Sequence, residues 1–67
     1  MILTWVSVKG GGEEAERGEL YAYVLPTRAG YFEFDLSRKG VNIVAGECKT
    51  IEEGKERIGH ALKGATT

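Results

Sequence analysis

Only one stretch of this chain, Thr50 to Gly64, carries the 3.6-residue periodicity of a helix. The rest reads as β-strand and turn. Ile51, Ile58 and Leu62, with Gly54 and Ala61, fall on one stripe at about 100° per residue. Thr50 can cap the helix, and Glu53 three residues later completes a capping box. Glu52 and Glu53 in the first turn, and Arg57, His60 and Lys63 further on, suit the helix macrodipole. Gly64 is a natural stop. Gly54 on the stripe and Gly59 beside it each cost roughly 1 kcal/mol against alanine; a close approach of helix to sheet accounts for Gly54. A helix of about 13 residues is roughly 20 Å long, which covers one face of a sheet and not two. The chain has 67 residues in all. A domain of that size buries only roughly 60% of its unfolded surface, so a thin single core is expected and a deep substrate cavity is not.

Four strand-like runs precede the helix: Ile2 to Val8, Glu19 to Leu25, Tyr31 to Leu36, and Val41 to about Glu47. Between the first two, Gly10 to Gly18 holds four glycines with Glu13, Glu14 and Glu16 and reads as a mobile loop. Pro26 suits a strand end, and Ser37-Arg38-Lys39-Gly40 reads as a four-residue hairpin loop. There is no linker, repeat or low-complexity tract. The expected fold is therefore α+β, one domain over residues 1–67: a four-stranded antiparallel meander with one C-terminal helix on one face.

Because side chains alternate with period two, faces propagate from the Tyr31–Leu36 run. Phe32, Phe34 and Leu36 point inward. If Leu36 pairs with Val41 across the hairpin, Val41, Ile43 and Ala45 do too; if Leu25 pairs with Tyr31, so do Leu20, Ala22 and Val24; on the first strand Ile2, Val6 and Val8 make the better inner set. The opposite face then holds Trp5, Tyr21, Tyr23 and Tyr31 beside Glu33, Asp35, Asn42 and Val44. An exposed aromatic patch of this kind marks an interaction surface. The competing reading is a wet face stabilised by cross-strand tyrosine pairs, with Trp5 folded into the core. On the first reading Trp5, Tyr21, Tyr23 and Tyr31 are contact anchors, as tyrosine and tryptophan are at interface cores, and Glu33 and Asp35 give polar register. The expected partner is a second copy, as a homodimer or small homo-oligomer, or another protein, met through this face or an unpaired edge strand. Single-stranded nucleic acid is the alternative, with Arg28, Arg38, Lys39, Lys49 and Lys63 for phosphates and the aromatics for bases. Against it, Glu33 and Asp35 share the tyrosines' face, and residues 20–67 carry seven basic and six acidic side chains, far from a positive groove.

Chemistry finds little footing. The formal net charge is −1, which excludes a polybasic arm or an acidic tail. One cysteine forms no internal disulfide, and one cysteine with one histidine closes no structural zinc site; no metal, no cofactor and no catalytic activity are expected. Gly10-Gly11-Gly12-Glu13-Glu14-Ala15 matches the letters G-x-G-x-x-A, yet a strand rather than a phosphate-binding helix follows, so it reads as a hairpin loop. Cys48 and His60 resemble a nucleophile and its base, but the wheel turns His60 to solvent, away from Cys48. Glu33 and Asp35, roughly 7 Å apart along one strand, have the spacing of glycosidase carboxylates without a pocket. The N-terminal apolar run is far short of the roughly 20 residues that span a bilayer, and lacks the features of a secretory leader. A reduced, soluble, cytoplasmic protein is the expectation.

From Glu19 onward the chain resembles the small YegP-type domains. The shared pattern is an aromatic strand, a glycine before GYFEFDL, a short turn with glycine, the aliphatic strand VNIVAGE, and the helix KTIEEGKERIGHALKG. The resemblance implies a dimeric or tandem α+β unit and no activity; Ile2 to Val8 is an extra strand relative to it. A weaker likeness is to the partial HicB antitoxin domain, through Tyr23 to Pro26, Gly30-Tyr31, and Gly46 with Thr50-Ile51-Glu52-Glu53. It implies neutralisation of a toxin partner. Phe34-Asp35-Leu36 here runs on into Ser37-Arg38, where that family continues with proline and glycine. Compact, acidic-loop chains of this sort are also typical of phage and other mobile elements.

Overall fold

The computed structural model describes residues 3–65. Five strands and one helix follow one another: β1 (Trp5–Val8), β2 (Gly12–Arg17), β3 (Leu20–Pro26), β4 (Phe32–Arg38), β5 (Val41–Cys48) and α1 (Ile51–Ala65). The strands form one antiparallel sheet in the order β1-β2-β3-β4-β5, and α1 packs across β3, β4 and β5. The α+β class and the single C-terminal helix are as the sequence predicts. The strand count is five rather than four.

The additional strand is β2, inside the stretch expected to be a loop. Its residues, Gly-Glu-Glu-Ala-Glu-Arg, are depleted in natural strands, but propensity yields to context. β2 is paired along both of its sides, to β1 and to β3. Ala15 lies between Trp5 and Ala22 and is only 2% exposed. The loop shrinks to Lys9, Gly10 and Gly11, where both glycines take positive φ.

A second departure lies at the β4–β5 hairpin. Lys39 and Gly40 both have positive φ, 51° and 78°, giving a two-residue turn of the twist that suits a hairpin. Arg38 therefore faces Val41, and the register shifts after Leu36, which faces Val44. Ile43 is the extra, bulged residue. Val44 consequently belongs to the helix face and Ala45 to the opposite one, the reverse of the expectation. Val41 shares the row of Leu20 and Arg38 but is 69% exposed, so it is not core. Ile43 still packs against the core.

The register also corrects β1. Trp5, Ala15, Ala22, Leu36 and Val44 form one continuous row across the sheet. Ala22 and Leu36 are fully buried under α1, so Trp5 is on the helix face, half-buried against the core. Val6 and Val8 alternate to the other side, Val6 53% exposed. Ile2 lies outside the described residues.

The core is Ala15, Leu20, Ala22, Val24, Phe34, Leu36 and Cys48 from the sheet against Ile58 and Leu62 from the helix, with Leu3 ahead of β1. Among the described residues no polar or charged one is buried. Gly54 is where the helix comes nearest: a β-carbon there would lie 2.9 Å from both methyls of Val24 and 3.0 Å from Cys48 Sγ. At the N-terminus the Glu53 amide donates to Thr50 Oγ1 (3.1 Å), while the Glu53 carboxylate accepts from the Lys49 amide (2.7 Å), one residue before the expected box partner. The helix runs one residue past Gly64.

Candidate functional site

The face away from α1 is built by three rows of directly opposed residues: Val6, Glu14, Tyr23, Asp35 and Ala45; Glu16, Tyr21, Ser37 and Asn42; and Leu25, Glu33 and Glu47. No element of the described chain covers it. Tyr21 and Leu25 are 39% and 36% exposed, while Tyr23 and Tyr31 are half-buried. The rings of Tyr21 and Tyr23 lie 6.1 Å apart at 50°, a tilted packing that fixes both in orientation. The Tyr21 hydroxyl donates to Glu14 Oε2 at 3.1 Å. Asp35 is held from two sides, accepting from Ser37 Oγ (2.8 Å) and Asn42 Nδ2 (2.9 Å). Asn42 Nδ2 also reaches the Leu36 and Val44 carbonyls (3.4 and 3.2 Å), so the same side chain that braces Asp35 braces the bulge.

Every charged side chain that the strands place on this face is a carboxylate: Glu14, Glu16, Glu33, Asp35 and Glu47. The phenols register that potential. Tyr21 is pushed above its ordinary value by burial of its ring and then by Glu14; Tyr23 by burial and then by Asp35 and Glu33. For Tyr31 the largest cause is its hydrogen bond with Glu47, a carboxylate that favours the protonated phenol.

Of the six residues expected on this surface, Tyr21, Tyr23, Glu33 and Asp35 are brought together there, and Tyr31 joins them beside Glu47. Trp5 does not. It sits across the sheet with the Lys55 ammonium 5.6 Å from its ring centroid, and Lys55 in turn pairs with Glu13 at 2.8 Å. Glu14, Glu16, Glu47 and Val6 are additions to the expected set, while Leu25 follows from the alternation that turns Leu20, Ala22 and Val24 inward. Extending the two-residue alternation through Gly12–Arg17 finds the first two.

The remaining constellations stay apart. Cys48 is buried under the first turn of α1, and burial first, then Glu53, pushes its thiol up, away from the reactive thiolate. His60 is exposed, more than a turn further along, on the rim of an open groove between α1 and the β5 margin that Phe34, Val44, Gly46 and Arg57 also line. Among the described residues no group of three His, Cys, Asp or Glu side chains is placed to hold a metal ion, and no helix is long and apolar enough to cross a membrane. No family model, no curated protein and no solved structure matches the chain.

Proposed function

We propose that this chain is a small non-catalytic interaction module that docks a protein partner on the outer face of its sheet. Tyr21, Tyr23, Tyr31 and Leu25 supply the contact area, and Glu33 and Asp35 supply register. One observation carries this reading: five strands share one helix, and the sheet face the helix leaves bare is the one that bears the tyrosines. The rings of Tyr21 and Tyr23 are already oriented by packing on each other, and Tyr21 also by Glu14. Little side-chain entropy is then lost on contact.

Scale limits the partner. Five strands about 4.8 Å apart and seven residues at about 3.3 Å each give a flat footprint of roughly 550 Å², small beside obligate interfaces, which bury roughly 1,000 Å² of accessible surface or more per partner. That suits one segment or a small domain better than a large obligate assembly. Two copies meeting face to face would oppose five carboxylates to five. Phosphates would meet the same charge, which disfavours the nucleic-acid alternative.

A photo-activated cross-linking residue placed at Tyr23, in the organism that makes the protein, is expected to give discrete protein adducts. The same residue at Glu56, exposed on α1, is expected to give none. Equal yields at the two positions, or none at Tyr23, would overturn the proposal.

Self-association is a second reading, and the strand at the sheet margin favours it. Among the described residues β5 is the longest strand, eight residues, and no strand lies beyond it, so its outward backbone groups are open to pairing with a second copy. A sedimentation mass near twice 7.3 kDa, unchanged by Tyr21→Ser/Tyr23→Ser, supports it; a monomer mass ends it without touching the outer face.

A further inference from the structure

We infer that the occupant of the outer face is a cationic segment of a partner protein, an extended stretch with arginine or lysine at alternate positions. The inference rests on the docking reading above and names the chemistry of the docked surface.

Charge on this molecule is segregated. The chain carries nine basic and ten acidic side chains, so charge spread at random would give this face both signs. Its strands place five carboxylates there and no base. The ion pairs Lys55–Glu13, Lys39–Glu19 and Arg57–Glu53 lie off this face, on the helix side, at the hairpin turns and along α1. A near-neutral protein thus presents one strongly anionic plane.

The plane is also aromatic at its centre, in a repeating order. Tyr23 stands directly between Glu14 on one neighbouring strand and Asp35 on the other, and opposed residues are about 5 Å apart. A guanidinium laid on the Tyr23 ring, where cation–π attraction holds it, has a carboxylate within reach on either side. Arginine satisfies both demands with one planar group. Along β4, Glu33 and Asp35 repeat at roughly 7 Å, the interval between alternate side chains of an extended peptide. Leu25 and Val6, exposed at either side, receive the aliphatic stems of such side chains.

The test uses the full chain, isotope-labelled for amide spectra, with the peptide (Arg-Ser)₄ as probe and (Glu-Ser)₄ and a short oligothymidine as counter-probes. At low salt (Arg-Ser)₄ is expected to shift the amides of Tyr21, Tyr23, Glu33 and Asp35 and to leave those of α1 still. Glu33→Gln/Glu47→Gln, two exposed carboxylates on the face, is expected to weaken that binding by about three-fold or more. Glu52→Gln/Glu56→Gln, which removes the same charge from the helix, leaves it unchanged. Equal weakening by both pairs, or shifts scattered along α1, reduces the effect to net charge and overturns the inference. Shifts on the face with oligothymidine or (Glu-Ser)₄ in place of (Arg-Ser)₄ overturn it too, while the docking reading stands. Loss of cross-linking at Tyr23 removes the docking reading itself.

Discussion

Gly54 and Gly59 are five positions apart in one helix, and alanine at each has opposite consequences. In a helix interior alanine is favoured over glycine by about 1 kcal/mol. At Gly59 nothing lies within 4 Å of an added β-carbon, so Gly59→Ala collects that full gain. At Gly54 the added carbon lands 2.9 Å from both Val24 methyls and 3.0 Å from Cys48 Sγ. Val24 is fully buried and β-branched, so its χ1 is restricted and its methyls have little room to give way. Forcing a methyl into such a site costs about 1–3 kcal/mol. Subtracting the propensity gain leaves Gly54→Ala less stable than the parent by about 0–2 kcal/mol. For a chain of this size 1 kcal/mol moves Tm by about 4–8 °C. Thermal unfolding followed by far-ultraviolet circular dichroism should therefore show Tm rising by about that amount for Gly59→Ala, and falling or standing still for Gly54→Ala. If Gly54→Ala raises Tm as far as Gly59→Ala does, the helix does not rest on Val24, and the reason given for that glycine is wrong.

Two further outcomes follow from ionisation. The three phenols are all held above their ordinary value of 10.0, so native protein binds more protons than unfolded chain at alkaline pH. Their contribution to stability is complete below pH 10 and is lost as pH rises from there through the folded values. Phenolate absorbance should rise at higher pH in native protein than in urea, and Glu47→Gln should bring Tyr31 back toward 10; coincident native and denatured curves would refute this. Cys48, buried and pushed up by desolvation and Glu53, should react with iodoacetamide at least about ten-fold more slowly in native protein than in urea, since only opened molecules present the thiolate. Comparable rates would show that the first turn of α1 does not seal it.

The elements legible in the sequence are those whose own residues decide them. The stripe of Ile51, Gly54, Ile58 and Leu62 places the helix and its buried side without reference to anything else, and Phe32, Phe34 and Leu36 do the same for β4. β2 is different in kind. Glu13, Glu14 and Glu16 carry no strand preference; the segment is a strand because β1 and β3 stand on either side to take up its backbone. Nothing within residues 12–17 states that. The bulge at Ile43 is a separate departure: the two-residue Lys39-Gly40 turn alone would set Leu36 opposite Ile43 and keep the expected faces, and only the extra residue between the Ser37–Asn42 and Leu36–Val44 pairs turns Val44 and Ala45 over.

The same distinction explains why the tyrosines read as one surface while Trp5 is left between two placements, on that surface or folded into the core, of which the register takes the second. Tyr21 and Tyr23 belong to a strand whose inner residues, Leu20, Ala22 and Val24, fix its faces unaided. β1 has apolar side chains on both sides, Trp5 on one and Val6 and Val8 on the other, so composition alone favours the side with more of them. Pairing decides otherwise. Trp5 opposite Ala15, itself opposite Ala22, is forced under the helix layer, where the two alanines leave room for its ring and Lys55 closes over it. Moving the indole inward weakens the outer face as a purely apolar patch. What remains there is tyrosine set among carboxylates, and it is from that chemistry that a basic protein segment, rather than a second copy or a phosphate backbone, is proposed as the occupant.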